Sequence, residues 1–122
     1  MLTGLHHVQV AAPPGSEEEA RRFFTGVLGL TELPKPEPLA ARGGAWFDLG
    51  DGCELHIGID PDFVPAFRAH PAFAVDGAER LTALAARLGG VGIEVTWDEA
   101  RPGASRFYAT DPWGNRLEFI TG

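Results

Sequence analysis

Apolar and polar positions alternate in short runs that recur in the same order twice. The first run, LHHVQV (residues 5–10), is followed by a helix-type pattern and then by two strand-like runs that close on CELHIGI (53–59). The second series opens on HPAFAV (70–75), passes through another helix pattern and closes on NRLEFI (115–120). Each half therefore predicts β-α-β-β-β, and the repeat predicts an α+β fold of two like modules. Ser16 with Glu19, and Asp76 with Glu79, fit the reciprocal capping pattern of a helix N-terminus. Leu28 followed by Gly29, and Leu88 followed by Gly89, predict the two helix ends. The stripes Phe23, Phe24, Val27 and Leu28, and Leu81, Leu84, Ala85 and Leu88, give each helix one face to lay on a sheet.

Length and composition limit what this pattern can build. With 122 residues at 44% hydrophobic content the chain is expected to form one domain over 1–122, module one at about 4–60 and module two at about 70–121. The Pro-rich stretch 33–44 reads as a loop inside module one, because strand-like residues resume at Ala45, Trp46 and Phe47. No basic and apolar leader pattern and no run near the roughly 20 apolar residues of a membrane span occur, so a soluble, cytoplasmic protein is expected. A net charge of −7 with a single lysine, Lys35, argues against nucleic acid and anionic membranes and leaves a small molecule as the expected partner. Cys53, the one cysteine, is expected to pack inertly.

The candidate chemistry lies in the opening and closing runs. His7 shares a strand face with Leu5 and Gln9, and His6 takes the other face; alternation by itself does not choose between them. Glu118 interrupts an otherwise apolar run on the face of Arg116 and, read alone, would be a solvated carboxylate. The spacing argues otherwise: His70 and Glu118 are 48 residues apart, while His7 precedes Glu54 by 47 and His56 by 49. Halves related by a pseudo-twofold axis would bring His7, His70, Glu118 and either Glu54 or His56 to one concave face. Imidazoles and carboxylates gathered there are costly unless paired, and a divalent cation removes that cost. Nitrogen and carboxylate donors suit Zn, Ni, Co, Fe or Mn, and the lack of thiolates argues against a structural zinc site.

LHHVQV, FFTGVLGL (23–30), ELHI (54–57), HPAFAV and DPWGNRLEF (111–119) together resemble the vicinal oxygen chelate superfamily of glyoxalases, bleomycin resistance proteins and extradiol dioxygenases, over nearly the whole chain. The resemblance implies an eight-stranded cup of paired βαβββ modules, with pairing between the chains of a homodimer in many members. It implies metal ligands at His7, His70 and Glu118, with Glu54 as the fourth and His56 as its rival. Pro71 departs from the aliphatic residue common after the second histidine, and no residue set maps onto a glutathione pocket.

The implied function is a divalent-metal-dependent isomerase or lyase of glyoxalase type, in which the metal stabilises an enediolate and Glu118 or Glu54 abstracts the adjacent proton from a small oxygen-chelating substrate. The alternatives are an extradiol-type dioxygenase, which a fourth protein ligand disfavours, and a non-enzymatic binding module like the bleomycin resistance proteins. The latter would line its groove with Trp46, Phe47, Trp97, Phe107, Tyr108 or Trp113, residues otherwise expected in core or turn packing. Arg42, Arg101 and Arg106 are expected to be solvated.

Overall fold

The computed structural model describes all 122 residues, Met1–Gly122. The chain divides into two compact units, Met1–Pro65 and Ala66–Gly122. The first contains β1 (His7–Ala12), α1 (Glu17–Ala20) continuing as a π-helical segment (Arg21–Val27), β2 (Thr31–Leu33), a 3-10 turn (Leu39–Arg42), β3 (Ala45–Gly50) and β4 (Cys53–Ile59). The second contains β5 (Ala72–Ala74), α2 (Ala78–Gly90), β6 (Thr96–Asp98), β7 (Ser105–Thr110) and β8 (Arg116–Thr121). Both units are thus βαβββ, the α+β plan that the apolar pattern predicts. Each forms one four-stranded mixed sheet, in the orders β1-β4-β3-β2 and β5-β8-β7-β6.

In both sheets the first strand runs parallel to the last, and the remaining pairs are antiparallel. Alternation along the strands then divides the faces. In the first unit Val10, Ala12, Ala45, Phe47, Leu55 and Ile57 are buried together with Ala20, Phe23 and Phe24 of the helical segment. In the second unit Phe107, Ala109, Leu117 and Phe119 are buried together with Leu81 and Leu88 of α2. Phe24 meets Phe47 at 5.4 Å between ring centroids, and Phe107 stacks on Phe119 at 5.0 Å. Removing each such side chain from water contributes about 1.5–3 kcal/mol. The alternate residues, including His7, Glu54, His56, Tyr108, Arg116 and Glu118, are sent to the opposite faces.

The helix ends differ from the sequence expectation. The Ser16 hydroxyl donates to the Pro13 carbonyl and makes no cap to the helix, so the pairing with Glu19 does not form. The residue before α2 is Gly77, at φ 94°, and Asp76 instead forms an exposed ion pair with Arg80 at 3.1 Å. Such a pair adds little stability. Gly29, at φ 78°, ends the first helix as expected, but α2 runs past Leu88 to Gly90 and the left-handed residue is Gly92, at φ 84°. In the first helix the Leu28 N–H bonds the Phe23 carbonyl five residues back. That wider turn lets the adjacent Phe23 and Phe24 both reach the core.

The loop before β3 is tied to the start of α1. Glu17 Oε2 accepts the Gly44 N–H at 2.8 Å, and Lys35 Nζ donates to the Gly43 carbonyl. Gly44 lies at φ 83°, and a Cβ there would collide with the Ile57 carbonyl oxygen. Gly44→Ala is therefore expected to lower stability by about 2–4 kcal/mol in denaturant titrations, combining left-handed strain with the collision. The Gly44 N–H, helped by the backbone N–H of Glu17, holds the Glu17 carboxyl below the usual carboxylate range. A lowered folded-state pKa stabilises above the ordinary glutamate value, and that contribution disappears as pH falls through the lowered one. Glu17→Gln should accordingly lose about 1 kcal/mol at neutral pH and show a flatter decline of stability in acid. Identical acid profiles for the two proteins would remove Glu17 from this role.

Candidate functional site

In the first unit, β1 and β4 set His7 beside Glu54 and Gln9 beside His56, and β3 sets Trp46 on the other side of His56. The imidazole of His56 is held between two rings: Trp46 at 4.3 Å and 8° between planes, and His7 at 4.2 Å and 13°. Its Nε2 meets Glu54 Oε1 at 2.9 Å. His56 is buried, whereas Glu54 is 28% exposed at the side chain and is the more accessible of the two. His7, not His6, joins this face. His6 precedes the strand, gives its carbonyl to the Glu54 N–H and meets His7 by Nδ1 to Nδ1 at 3.0 Å. The group borders a cavity of about 590 Å³ that also takes in Gln9, Lys35 and Arg42.

In the second unit, β8 carries Glu118 opposite Ala72 on one side and Tyr108 on the other. His70 lies just before β5 rather than in it, because Pro71 has no N–H to give to the ladder; the Pro71 carbonyl accepts the Glu118 N–H at 3.0 Å. His70 Nδ1 lies 2.9 Å from the Arg68 carbonyl, and Nε2 lies 2.9 Å from Glu118 Oε1. A carbonyl can only accept, so Nδ1 carries the proton that donates to it. The Nε2 lone pair of a neutral His70 would then face a carboxylate lone pair, and a cation, either a proton or a metal ion, must lie between them. A backbone carbonyl on Nδ1–H is also the usual way of aiming Nε2 at a metal. The donor chemistry of this pair therefore fits a divalent ion.

Glu118 is 6% exposed, and its second oxygen is met by Arg106, at 3.4 Å from Oε2. The same guanidinium reaches Asp98 at 3.4 Å. Arg106 is thus only 19% exposed at the side chain and belongs to the surroundings of Glu118, a correction to its reading as a solvated arginine. The signal was available in the hairpin register, since Arg106 pairs with Ile120, two residues along the same face from Glu118. Arg101 is exposed as expected. Phe47 and Phe107 are core residues, whereas Trp46 and Tyr108 touch the candidate histidines; Tyr108 meets His70 edge to face at 5.6 Å.

The turn before β8 fixes where that strand begins. Asp111 Oδ1 accepts the N–H groups of Trp113 and Asn115 at 3.0 and 2.8 Å, and Oδ2 accepts from the Asn115 amide at 2.7 Å. Asn115 Oδ1 in turn accepts the Ala66 N–H at 2.9 Å, and Arg116 N–H donates to the Ala66 carbonyl at 2.8 Å. Burial pushes the Asp111 carboxyl up, against the opposing pull of these donors. The DPWGN segment, legible in sequence as a turn, thus anchors the residues from which Glu118 projects.

His7, Glu54 and His56 are collected in one unit, and His70 and Glu118 in the other. No three His, Cys, Asp or Glu side chains gather closely enough in the chain to hold a metal ion by themselves. No helix is long and apolar enough to cross a membrane.

The chain is similar to a glyoxalase-family protein from Bacillus anthracis, at 49% identity and a TM-score of 0.93 over 100% of this chain and 97% of that one. It also resembles in fold the lactoylglutathione lyase from Agrobacterium tumefaciens (19% identity, TM-score 0.77, 100% and 96% of the two chains). A third structure of the same fold is TnmS3, an antibiotic binding protein from Streptomyces sp. CB03234 (19% identity, TM-score 0.72, 98% and 96%). A search of curated proteins found no match. Residues 4–119 match the family model of these folds, and the chain belongs to the Glyoxalase/Bleomycin resistance protein/Dioxygenase superfamily.

Proposed function

We propose that the chain is a divalent-metal-dependent isomerase or lyase of glyoxalase type, acting on a small molecule with adjacent oxygen atoms. The observation that carries the reading is the His70–Glu118 pair, in which a fixed Nδ1–H turns a nitrogen lone pair toward a buried carboxylate. His70 and Glu118 supply two ligands in this reading, and His7 and Glu54 the other two, with a homodimer bringing the two sets together as the family resemblance implies. Bound there, the ion supplies Lewis-acid polarisation of the substrate oxygens.

His56 has a supporting role. Its flat faces are covered by Trp46 and His7, and its Nε2 is committed to Glu54, so it orients that carboxylate. Glu118 or Glu54 removes the proton next to the substrate carbonyl, and a positioned base of this kind contributes roughly 10²- to 10⁴-fold in rate. A four-donor set leaves fewer open positions than dioxygen chemistry with a chelated catechol requires, which ranks an extradiol dioxygenase below the isomerase or lyase.

A second reading, a ligand-sequestering module, is favoured by one observation: the Trp46, His56 and His7 rings form a continuous stack on the cavity of the first unit, a surface suited to a flat organic ligand. It predicts ligand binding that persists in chelator.

Metal titration of the chelator-treated protein should give one ion of Ni, Co, Mn, Fe or Zn per chain, with binding lost in His70→Ala and weakened by about 10- to 100-fold in His56→Ala. Affinity should fall with falling pH, because imidazole and carboxylate ligands bind an ion only in their deprotonated forms. Failure of every one of these ions to bind wild type would reject the metal-dependent reading. Once a substrate is found, Glu118→Gln should abolish turnover with the fold intact, and an active variant would remove Glu118 from the chemistry.

A further inference from the structure

Beside the His70–Glu118 pair, on the same face of the second sheet, lies a guanidinium that the structure leaves without a hydrogen-bonding partner. Arg116 is two residues before Glu118 on β8, roughly 7 Å along the strand by its rise per residue. Its guanidinium carbon lies 3.7 Å from the ring centre of Tyr108 and 4.5 Å from that of Phe67. Tyr108 in turn touches His70. No ion pair forms from Arg116, although acidic groups are near: both oxygens of Glu118 are engaged by His70 and Arg106, and Glu94 borders the same cavity without reaching the guanidinium. Phe67 is 64% exposed, and its ring lies against this arginine.

Stacking of this kind occupies the faces of a guanidinium and leaves its in-plane N–H fork available, already oriented. Arg116, Tyr108 and Phe67 line a cavity of about 360 Å³, a size suited to a small metabolite. We propose that Arg116 binds a carboxylate of the substrate, so that the substrate class is a small organic acid carrying its adjacent oxygens a few bonds from that carboxylate. Glu94 on the cavity wall and the chain's net charge of −7 favour a carboxylate over a more highly charged phosphate. The inference rests on the metal-site reading only for the location of the chelating oxygens; anion binding by Arg116 is separate from it.

The two are tested separately on the full chain. In chelator, malonate, its neutral diamide and inorganic phosphate are titrated at fixed ionic strength and followed by nitrogen–proton NMR, including the arginine side-chain signals. Mn²⁺, Ni, Co, Fe and Zn are titrated in parallel without chelator. Malonate should shift the Arg116 Nε–Hε signal, bind more tightly than phosphate and lose about tenfold or more in affinity in Arg116→Gln, while the diamide causes no shift. Phe67→Leu, a change at an exposed ring, should weaken malonate by about two- to fivefold at unchanged melting temperature, through loss of the stacking that orients the fork. Mn²⁺ affinity should be unchanged in Arg116→Gln. Equal malonate affinity in wild type and Arg116→Gln, or joint loss of malonate and Mn²⁺ binding, would overturn the proposal, and tighter phosphate binding would overturn the carboxylate assignment. Absence of binding by Mn²⁺ and by each of Ni, Co, Fe and Zn in wild type, with Arg116-dependent malonate binding, would sink the metal reading alone. Should Arg116→Gln fail to fold, the Phe67→Leu comparison decides, and unchanged malonate affinity there counts against the proposal.

Discussion

Parallel pairing of the first strand of each unit with its last strand is the constraint on which the candidate chemistry depends. It sets residues about fifty positions apart next to one another: His7 opposite Glu54 in the first unit, Ala72 opposite Glu118 in the second. Because a strand repeats every two residues, the register that buries Leu55, Ile57, Leu117 and Phe119 also turns Glu54, His56 and Glu118 away from the helices. A slip by one residue would bury the carboxylates in the aromatic core and expose the core itself. Packing and chemistry are therefore one specification, enforced by the apolar side chains and read out by the polar ones.

The two polar faces use that common frame differently. In the first unit the histidine chemistry is controlled by ring stacking, with His56 fixed by Trp46 and His7. In the second unit it is controlled by charge and hydrogen bonds, with Glu118 held between His70 and Arg106 and its strand anchored through Asp111 and Asn115. A buried carboxylate near two cationic or proton-bearing partners keeps its position without the solvent that would otherwise stabilise it.

The repeat and the βαβββ order of elements were legible in the sequence because apolar alternation and the two helix patterns carry them. The spacing from His70 to Glu118 also identified a pair that does touch. Other features were hidden for physical reasons. Helix caps depend on where a hydroxyl or carboxylate finds its best partner, and Ser16 finds the Pro13 carbonyl while Asp76 finds Arg80. Pro71 shortens the strand predicted at 70–75 to Ala72–Ala74, since a residue without an N–H cannot extend a ladder. Alternation left His6 and His7 open and the family resemblance chose His7, whereas the contact of Arg106 with Glu118 lay in the β7–β8 register that the sequence reading did not apply to it.

The His56–Glu54 and His70–Glu118 contacts each close within one unit. Small domains organised around a structural zinc ion cannot fold until the metal arrives, because their ligands have nothing else to bind. Here both buried acids already have partners: Glu118 meets His70 and Arg106, and Asp111 accepts hydrogen bonds from Trp113 and Asn115. The order of events is thereby relaxed: these contacts can close on the ribosome's schedule, before any ion or ligand arrives.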